Sequence, residues 1–458
     1  MQLDWLTLSN RYMQYVSVIS VSLAASSITA YIAWSSPALP QLTFLSQSES
    51  SWIASVDLFG AIPGGILGGC LMDKIGRKWS IFIATVLFFL PWIPIGVSNN
   101  GSVLIVARFV AGIGIGLTTT VVPIYVSEIV DKDIRGRLTT IYVLFSLLGT
   151  ITMLSVGPFI SYKNLSFIGA AFPIACALTF FFLPESPHFL LRIKNKDAAR
   201  TNLTRLSSKF EDREMIESRL EELEKIVENS ISEKFTLKDL ICNKDHRRPI
   251  LILIGLKTIH QLCGLTVINA YMQTIMNLSH THLPSYVSSI IYGVIQFPSA
   301  ILSAVLVDKL GRKPLLAIST FGCGTALVCE GIYFYLHNST TVDLSKLYWF
   351  PTFALTLFIV MIPIGISTLS YLMLGELFTM NAKRVAGIIF TTYNGSLLAF
   401  VTVRSFAPLV QSIGIHAVFW IFAGVCYLGT IFSIFVLPET KGKSLQEIQD
   451  LLSKRNTC

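Results

Sequence analysis

Asp73-Lys74-Ile75-Gly76-Arg77-Lys78 closes one long apolar run of this chain, and Asp308-Lys309-Leu310-Gly311-Arg312-Lys313 closes another, 235 residues further on. A charged string repeated in the same setting points to two halves built on one plan. Other marks recur in step with it. Glu128, with Arg135 seven residues on, is echoed by Glu376, with Lys383 again seven on. Pro184-Glu185-Ser186-Pro187 is echoed by Pro438-Glu439-Thr440. Between these marks lie apolar runs of about 20 residues, the length a helix needs to cross a hydrocarbon layer of roughly 30 Å. They fall at 14–36, 52–72, 79–97, 103–126, 139–159, 165–183, 250–272, 286–307, 314–336, 348–374, 385–410 and 413–437, six before and six after one long polar stretch.

The composition agrees: 52% of the 458 residues are hydrophobic and 14% charged, with a mean hydropathy of +0.63, where a soluble domain carries about a quarter charged residues. The chain therefore reads as an all-α membrane protein: a six-helix half over 1–183, a helical linker over 184–249, a second six-helix half over 250–437 and a tail over 438–458. The linker is rich in Glu, Lys and Arg and shows helical periodicity over Glu211–Glu228. Parallel halves about a central site are a transporter architecture. The first span has a polar start without the charged leader and cleavage site of a signal peptide, so it is expected to stay as a helix.

A net charge of +8 does not mark a nucleic-acid partner here, because the basic residues sit in alternate loops. Lys74, Arg77, Lys78, Lys132, Arg135, Arg137, the stretch 184–249, Lys309, Arg312, Lys313, Lys383, Arg384 and Lys441 fall on one side, and the opposite loops hold little beyond Lys163 and Lys346. The positive-inside rule then places both termini and the linker in the cytoplasm of a multi-pass protein of the cell membrane. Acceptor sequons at Asn100, Asn164, Asn277 and Asn338 fall on the other side, with Asn277 and Asn338 the better glycosylation candidates. The eight cysteines are scattered without metal-ligand spacing, so neither a disulfide framework nor a metal site is expected. No nucleophile–base pair, phosphate loop or metal cluster suggests an enzyme, and no cofactor is expected.

The ordered set Gly69-x3-Asp73-x2-Gly76-Arg77-Lys78, Arg108 with Gly112, Gly116, Pro123, Tyr125 and Glu128, Arg135-Gly136, Pro184-Glu185-Ser186-Pro187, Gly375-Glu376-Leu377-Phe378 and Pro438-Glu439-Thr440-Lys441-Gly442-Lys443-Ser444-Leu445 resembles the sugar porter family of the major facilitator superfamily over nearly the whole chain. Ala33-Trp34-Ser35-Ser36-Pro37-Ala38-Leu39-Pro40 further resembles the insect branch that includes facilitated trehalose and glucose transporters. The resemblance implies the major facilitator fold, a small-molecule sugar as substrate, the lipid bilayer as surroundings and function as a monomer.

It also implies two sets of site residues. Asp73, Arg77, Glu128, Arg135 and Glu185, with Asp308, Arg312, Glu376, Lys383 and Glu439, form a latch of ion pairs that ties the halves together at the cytoplasmic side when the carrier opens outward. Such pairs contribute on the order of 1 kcal/mol each at a wet edge, which suits a contact that must break in every cycle. Snorkelling or topology alone accounts for Lys74 and Lys309, but carboxylates add nothing to topology. The second set is the sugar site. Gln261 matches a family glutamine, His260 and Thr266 occupy matching positions with altered type, Gln296 stands for an asparagine and Tyr371 for a tryptophan. Amide and imidazole groups both donate and accept, as a neutral polyol requires, and a structural helix–helix hydrogen bond is the alternative for each.

Val143, Gly395 and Ser396 replace hydrogen-bonding family residues, with Asn394 one position off, and Gly365-Ile366-Ser367-Thr368-Leu369-Ser370 replaces a Gly-Pro-rich hinge. These departures point to an altered or larger substrate, such as a disaccharide, or to weak transport. Lys257 and Glu330 lie in apolar stretches without a counterpart. Family symporters resemble one another in carrying a carboxylate in the first span, and here none lies between Arg11 and Glu49. Asp57 is the nearby candidate, with an outer-vestibule position as its alternative. A passive uniporter is therefore preferred to a proton-coupled symporter. A non-transporting sugar receptor is a third reading, set against the short stretch after the twelfth span.

Overall fold

The structure is a computed structural model that describes residues 11–131, 133–207, 213–232, 244–279, 283–338, 345–378, 386–387, 396–443 and 447–448. Lys383, Asn394 and Gly395 lie outside the described residues, as does the side chain of Asp308.

Among the described residues, eleven helices are long and apolar enough to cross a bilayer, and the shorter apolar helix Leu398–Ile413 supplies a twelfth. The first half runs Tyr12–Ala38, Gln47–Lys74, Arg77–Val97, Gly101–Ile129, Arg135–Val156 and Tyr162–Phe180. Three linker helices follow, Pro187–Arg192, Lys196–Leu206 and Arg213–Ser232. The second half runs Lys244–Leu278, Ser285–Lys309, Arg312–Asn338, Phe350–Leu377, Leu398–Ile413 and Ile415–Phe435. Several helices, Gln47–Lys74 and Gly101–Ile129 among them, outrun their apolar runs at both ends. Ser46 forms a reciprocal capping box with Glu49 at the start of the second span.

The hydrophobic effect does not hold helices together inside lipid, so packing and internal hydrogen bonds must do so. The second and fourth spans show how. Gly60, Gly64 and Gly68 face Gly112 and Gly116, and the backbones come so close that a Cβ on Gly116 would sit 2.0 Å from the Ala61 carbonyl oxygen and one on Gly64 2.2 Å from that of Ile113. Beside this seam Arg108 donates to Asp57 at 2.8 Å and to the Tyr31 carbonyl at 2.7 Å, with both partners of the ion pair fully buried. The outer-vestibule position considered for Asp57 is thereby corrected: the carboxylate lies in the core of the first half, joining its first, second and fourth spans.

Two spans that read as continuous in sequence are broken. The seventh divides into Lys244–Leu262 and Leu265–Leu278 at Gly264, whose φ of +91° is left-handed and where a side chain would also strike Phe422. The tenth is interrupted by a π-turn at Pro363–Ser367. A π-turn frees carbonyls that lipid cannot satisfy, and hydroxyls take their place: Ser319 donates to Met361 O, while Ser303 and Thr368 donate to Pro363 O.

The linker helices build a small apolar core of their own around Phe189, Leu203, Ile216 and Leu220. Asp131, at the end of the fourth span, fastens them to the first half by accepting from Gln14 and pairing with Arg11 and Arg219.

The glycine seam generates a direct test. Gly116→Ala overpacks the helix pair, so the purified protein is expected to lose about 1–3 kcal/mol of stability, read as a lower thermal midpoint in detergent. Gly424→Ala, whose Cβ meets nothing within 4 Å, serves as the control and should leave the midpoint unchanged.

Candidate functional site

The end of the bundle that carries the linker holds two near-identical clusters, one per half. In the first, Arg77 donates to Glu128 at 2.8 Å, and Ser186 donates to the other Glu128 oxygen. Glu185 accepts from the backbone N–H groups of Arg77 at 3.0 Å and Lys78 at 3.2 Å, at the start of the third span. In the second, Arg312 donates to Glu376 at 2.9 Å, Thr440 donates to the other Glu376 oxygen, and Glu439 accepts from the N–H groups of Arg312 at 2.9 Å and Lys313 at 3.1 Å. In each, a carboxylate from the segment after the half's last span seals a helix N-terminus, where exposed N–H groups and the helix dipole favour negative charge. Gly76 and Gly311 are glycine because a Cβ there would lie 2.3 Å from Glu185 and 2.4 Å from Glu439.

Burial pushes the Glu185 carboxyl above its usual pKa against the pull of its backbone N–H partners and Arg77. Burial also raises that of Glu439, but its N–H partners and Arg312 outweigh it and the net displacement is downward. Asp73 pairs with Arg192 of the linker. Arg135 donates to the carbonyls of Ser127 and Val130, at the C-terminus of the fourth span, rather than to Glu128. The pairs Arg77–Glu128 and Arg312–Glu376 each join groups of one half, Asp73–Arg192 and Asp131–Arg219 join the linker to the first half, and Lys196–Glu224 and Arg200–Glu217 lie within the linker.

The halves meet at the far end. Arg404 of the eleventh span donates to Ser51 Oγ of the second at 2.9 Å, and that hydroxyl donates to the Arg404 carbonyl at 3.0 Å. The guanidinium also lies over the Trp52 ring, 5.1 Å from its centroid. Gln411 donates to Gln47, and Gln273 N donates to Ser36 Oγ at 3.0 Å. Phe159 packs on Tyr286 with ring centroids 5.3 Å apart. These contacts join the two halves at the far end. The Arg404 clasp is absent from the sequence expectations, although an arginine within an apolar span is itself a signal.

Between the two ends, the broken seventh and tenth spans bring four of the singled-out residues together. Gln261 is buried, and its amide oxygen accepts from Thr266 across the break at 3.4 Å. His260, also buried, makes no hydrogen bond through either ring nitrogen. Its ring stands edge-on to that of Tyr371, with centroids 6.4 Å apart. Tyr371 is 59% exposed, an aromatic surface open beside unsatisfied donors and acceptors. The Gln296 amide lies 3.5 Å from the Tyr292 carbonyl of its own helix. Glu330 is fully buried in the ninth span with both oxygens unpartnered. Asn277 and Asn338 are exposed at the far end, on the side where sequons were expected.

Twelve apolar helices in two repeated halves, with a polar and aromatic cluster at helix breaks of the second half, define a protein of the major facilitator fold. The chain belongs to the sugar (and other) transporter family, whose sequence model matches residues 7–452. It is similar to a facilitated trehalose transporter Tret1 of Anopheles gambiae, 31% identical over 95% of this chain and 55% of that one. It is also similar to Tret1 of Culex quinquefasciatus, 29% identical over 96% of this chain and 85% of that one. The chain thus spans about half the length of the Anopheles relative. Among solved structures it is similar to the inward-open xylose transporter XylE of E. coli, with a TM-score of 0.73 and 21% identity over 96% of this chain and 98% of that one. A proton:xylose symporter XylE bound to 6-bromo-6-deoxy-D-glucose matches with a TM-score of 0.72 and 20% identity over 98% of this chain and 100% of that one.

If Arg404 holds the far end shut, Arg404→Ala should expose the layer beneath it. A cysteine introduced at Ser55, one turn below Ser51, is expected to react several-fold faster with a membrane-impermeant maleimide in the Arg404→Ala background than alone. Equal rates would show that the clasp does not gate this end.

Proposed function

We propose that the protein is a facilitative carrier that moves a neutral sugar, a hexose or trehalose, across the plasma membrane by alternating access, with both termini and the linker in the cytoplasm. The observation that carries this reading is the cluster of Gln261, His260, Thr266 and the exposed Tyr371 ring at the adjoining breaks of the seventh and tenth spans. Amide, hydroxyl and imidazole groups serve hydroxyls of either sense, and an aromatic face serves the C–H face of a sugar ring. The trehalose-transporter relatives support the substrate class.

In this reading the far-end contacts around Arg404 mark the state closed to the outside. The ion-pair clusters at the linker end keep each half rigid, and in the opposite state they come together to close the cytoplasmic side. The linker, fastened to the first half through Asp131, moves with that half. Asp57 bears on coupling. Its carboxylate pairs with Arg108 inside the core of the first half, and the first span itself carries no carboxylate between Arg11 and Glu49, the feature that favours passive uniport over proton symport.

Uptake of labelled glucose, fructose and trehalose into sugar-transport-deficient cells tests the function. One of these sugars is expected to equilibrate across the membrane without accumulating, and an uncoupler should not reduce its uptake. Accumulation abolished by the uncoupler would replace uniport with symport, and lack of uptake of all three would remove the reading. At the site itself, losing one hydrogen bond to a neutral partner costs about 0.5–1.5 kcal/mol, more if a hydroxyl is stranded. Gln261→Ala is therefore expected to weaken apparent affinity roughly 3- to 30-fold with transport normalised to surface protein. Unchanged affinity would make Gln261 a structural residue.

A further inference from the structure

Lys257 has no place in the mechanism above, yet its position is costly. An ammonium inside a membrane-spanning helix is costly unless it has a partner, and this one is 2% exposed. Its surroundings show what the charge acts on. The ammonium lies 3.5 Å from the centroid of the Tyr371 ring, well inside the roughly 6 Å over which a cation is drawn to an aromatic face.

The two residues belong to different helices, Lys244–Leu262 of the seventh span and Thr368–Leu377 of the tenth, and both helices lie on the linker side of their span's break. The neighbouring residues also meet: Ser370 Oγ reaches the Leu256 carbonyl at 3.5 Å. His260, one turn along from Lys257, touches the same ring at its edge. Tyr371 is thus an exposed aromatic on a ten-residue helix that follows a π-turn. Without these neighbours its ring is free to adopt other staggered rotamers.

We propose that Lys257 is a positioning residue for the sugar site: its charge pins one side of the Tyr371 ring and so presents the remaining surface to the sugar in a fixed orientation. The role rests on the sugar reading of the cluster. Its effect falls on affinity, since the ring is placed before the sugar arrives.

The test is a double-mutant cycle on the full-length protein purified in detergent, read as equilibrium binding of radiolabelled glucose and trehalose. Lys257→Met keeps most of the stem and removes the charge. It is expected to weaken binding roughly 3- to 30-fold, the span of a cation–π contact from exposed to desolvated. Lys257→Arg retains the charge and stacks on aromatic faces, so it should bind within about threefold of the unaltered protein. In a Tyr371→Leu background, Lys257→Met should add nothing, because the ring it positions is gone. Losses that add independently of Tyr371, or undiminished binding in a folded Lys257→Met protein, would overturn the positioning role while leaving the sugar reading intact. No saturable binding of either sugar to the unaltered protein would instead remove the sugar reading, and this role with it.

Discussion

Inside a bilayer no water is present to satisfy a polar group, so each one must find a partner in the protein or line a cavity. That constraint explains why this chain folds as it does and also why its departures from regular helix are informative. Arg108 and Asp57 persist in the first half because each neutralises the other and the arginine reaches a second acceptor on the first span. The π-turn in the tenth span persists because hydroxyls of the eighth, ninth and tenth spans accept the task of the missing backbone bonds. His260 and Glu330 are left outside this economy, and His260 stands beside the exposed ring of Tyr371 where the helices break.

The same constraint fixes the two ends differently. At the linker end the charged groups are mostly buried but paired, and each half builds its own cluster from the same parts: a guanidinium on a carboxylate, a hydroxyl on its second oxygen, and a second carboxylate capping a helix. Such groups move with a half as a unit. At the far end the halves are joined by a few hydrogen bonds and ring contacts, centred on Ser51 and Arg404. Rigid halves joined by a small number of breakable contacts are what a carrier requires, since neither of its end states can be favoured by many kcal/mol.

The fold was legible because lipid crossing and topology leave direct marks in one dimension. Apolar runs of spanning length, alternate basic loops and the doubled Asp-x2-Gly-Arg-Lys string specify twelve helices in two halves without any knowledge of contacts. The candidate site was legible only in part. Gln261, His260, Thr266, Gln296 and Tyr371 stand out as polar or aromatic groups near matching family positions. The break at Gly264 depends on a dihedral angle and on Phe422 in a distant span, and a single glycine in an apolar run does not announce either. The burial of Asp57 depends on the close approach of glycines from two spans. The Arg404 clasp and the Lys257–Tyr371 contact pair residues whose partners lie far away in sequence, a relation that periodicity and composition do not contain.

The central claim is that the two halves rock about the cluster at the broken spans, opening one end as the other closes. Spin-label distance measurements test it most directly, with one pair at Gln47 and Gln411 across the far end and another at Thr139 and Lys309 across the linker end, recorded with and without a transported sugar in lipid nanodiscs. The account predicts two populations in which the distances are opposed, the far-end pair lengthening in the population where the linker-end pair shortens, with sugar shifting the balance between them. Two distances that stay single-valued, or that lengthen and shorten together, would contradict it.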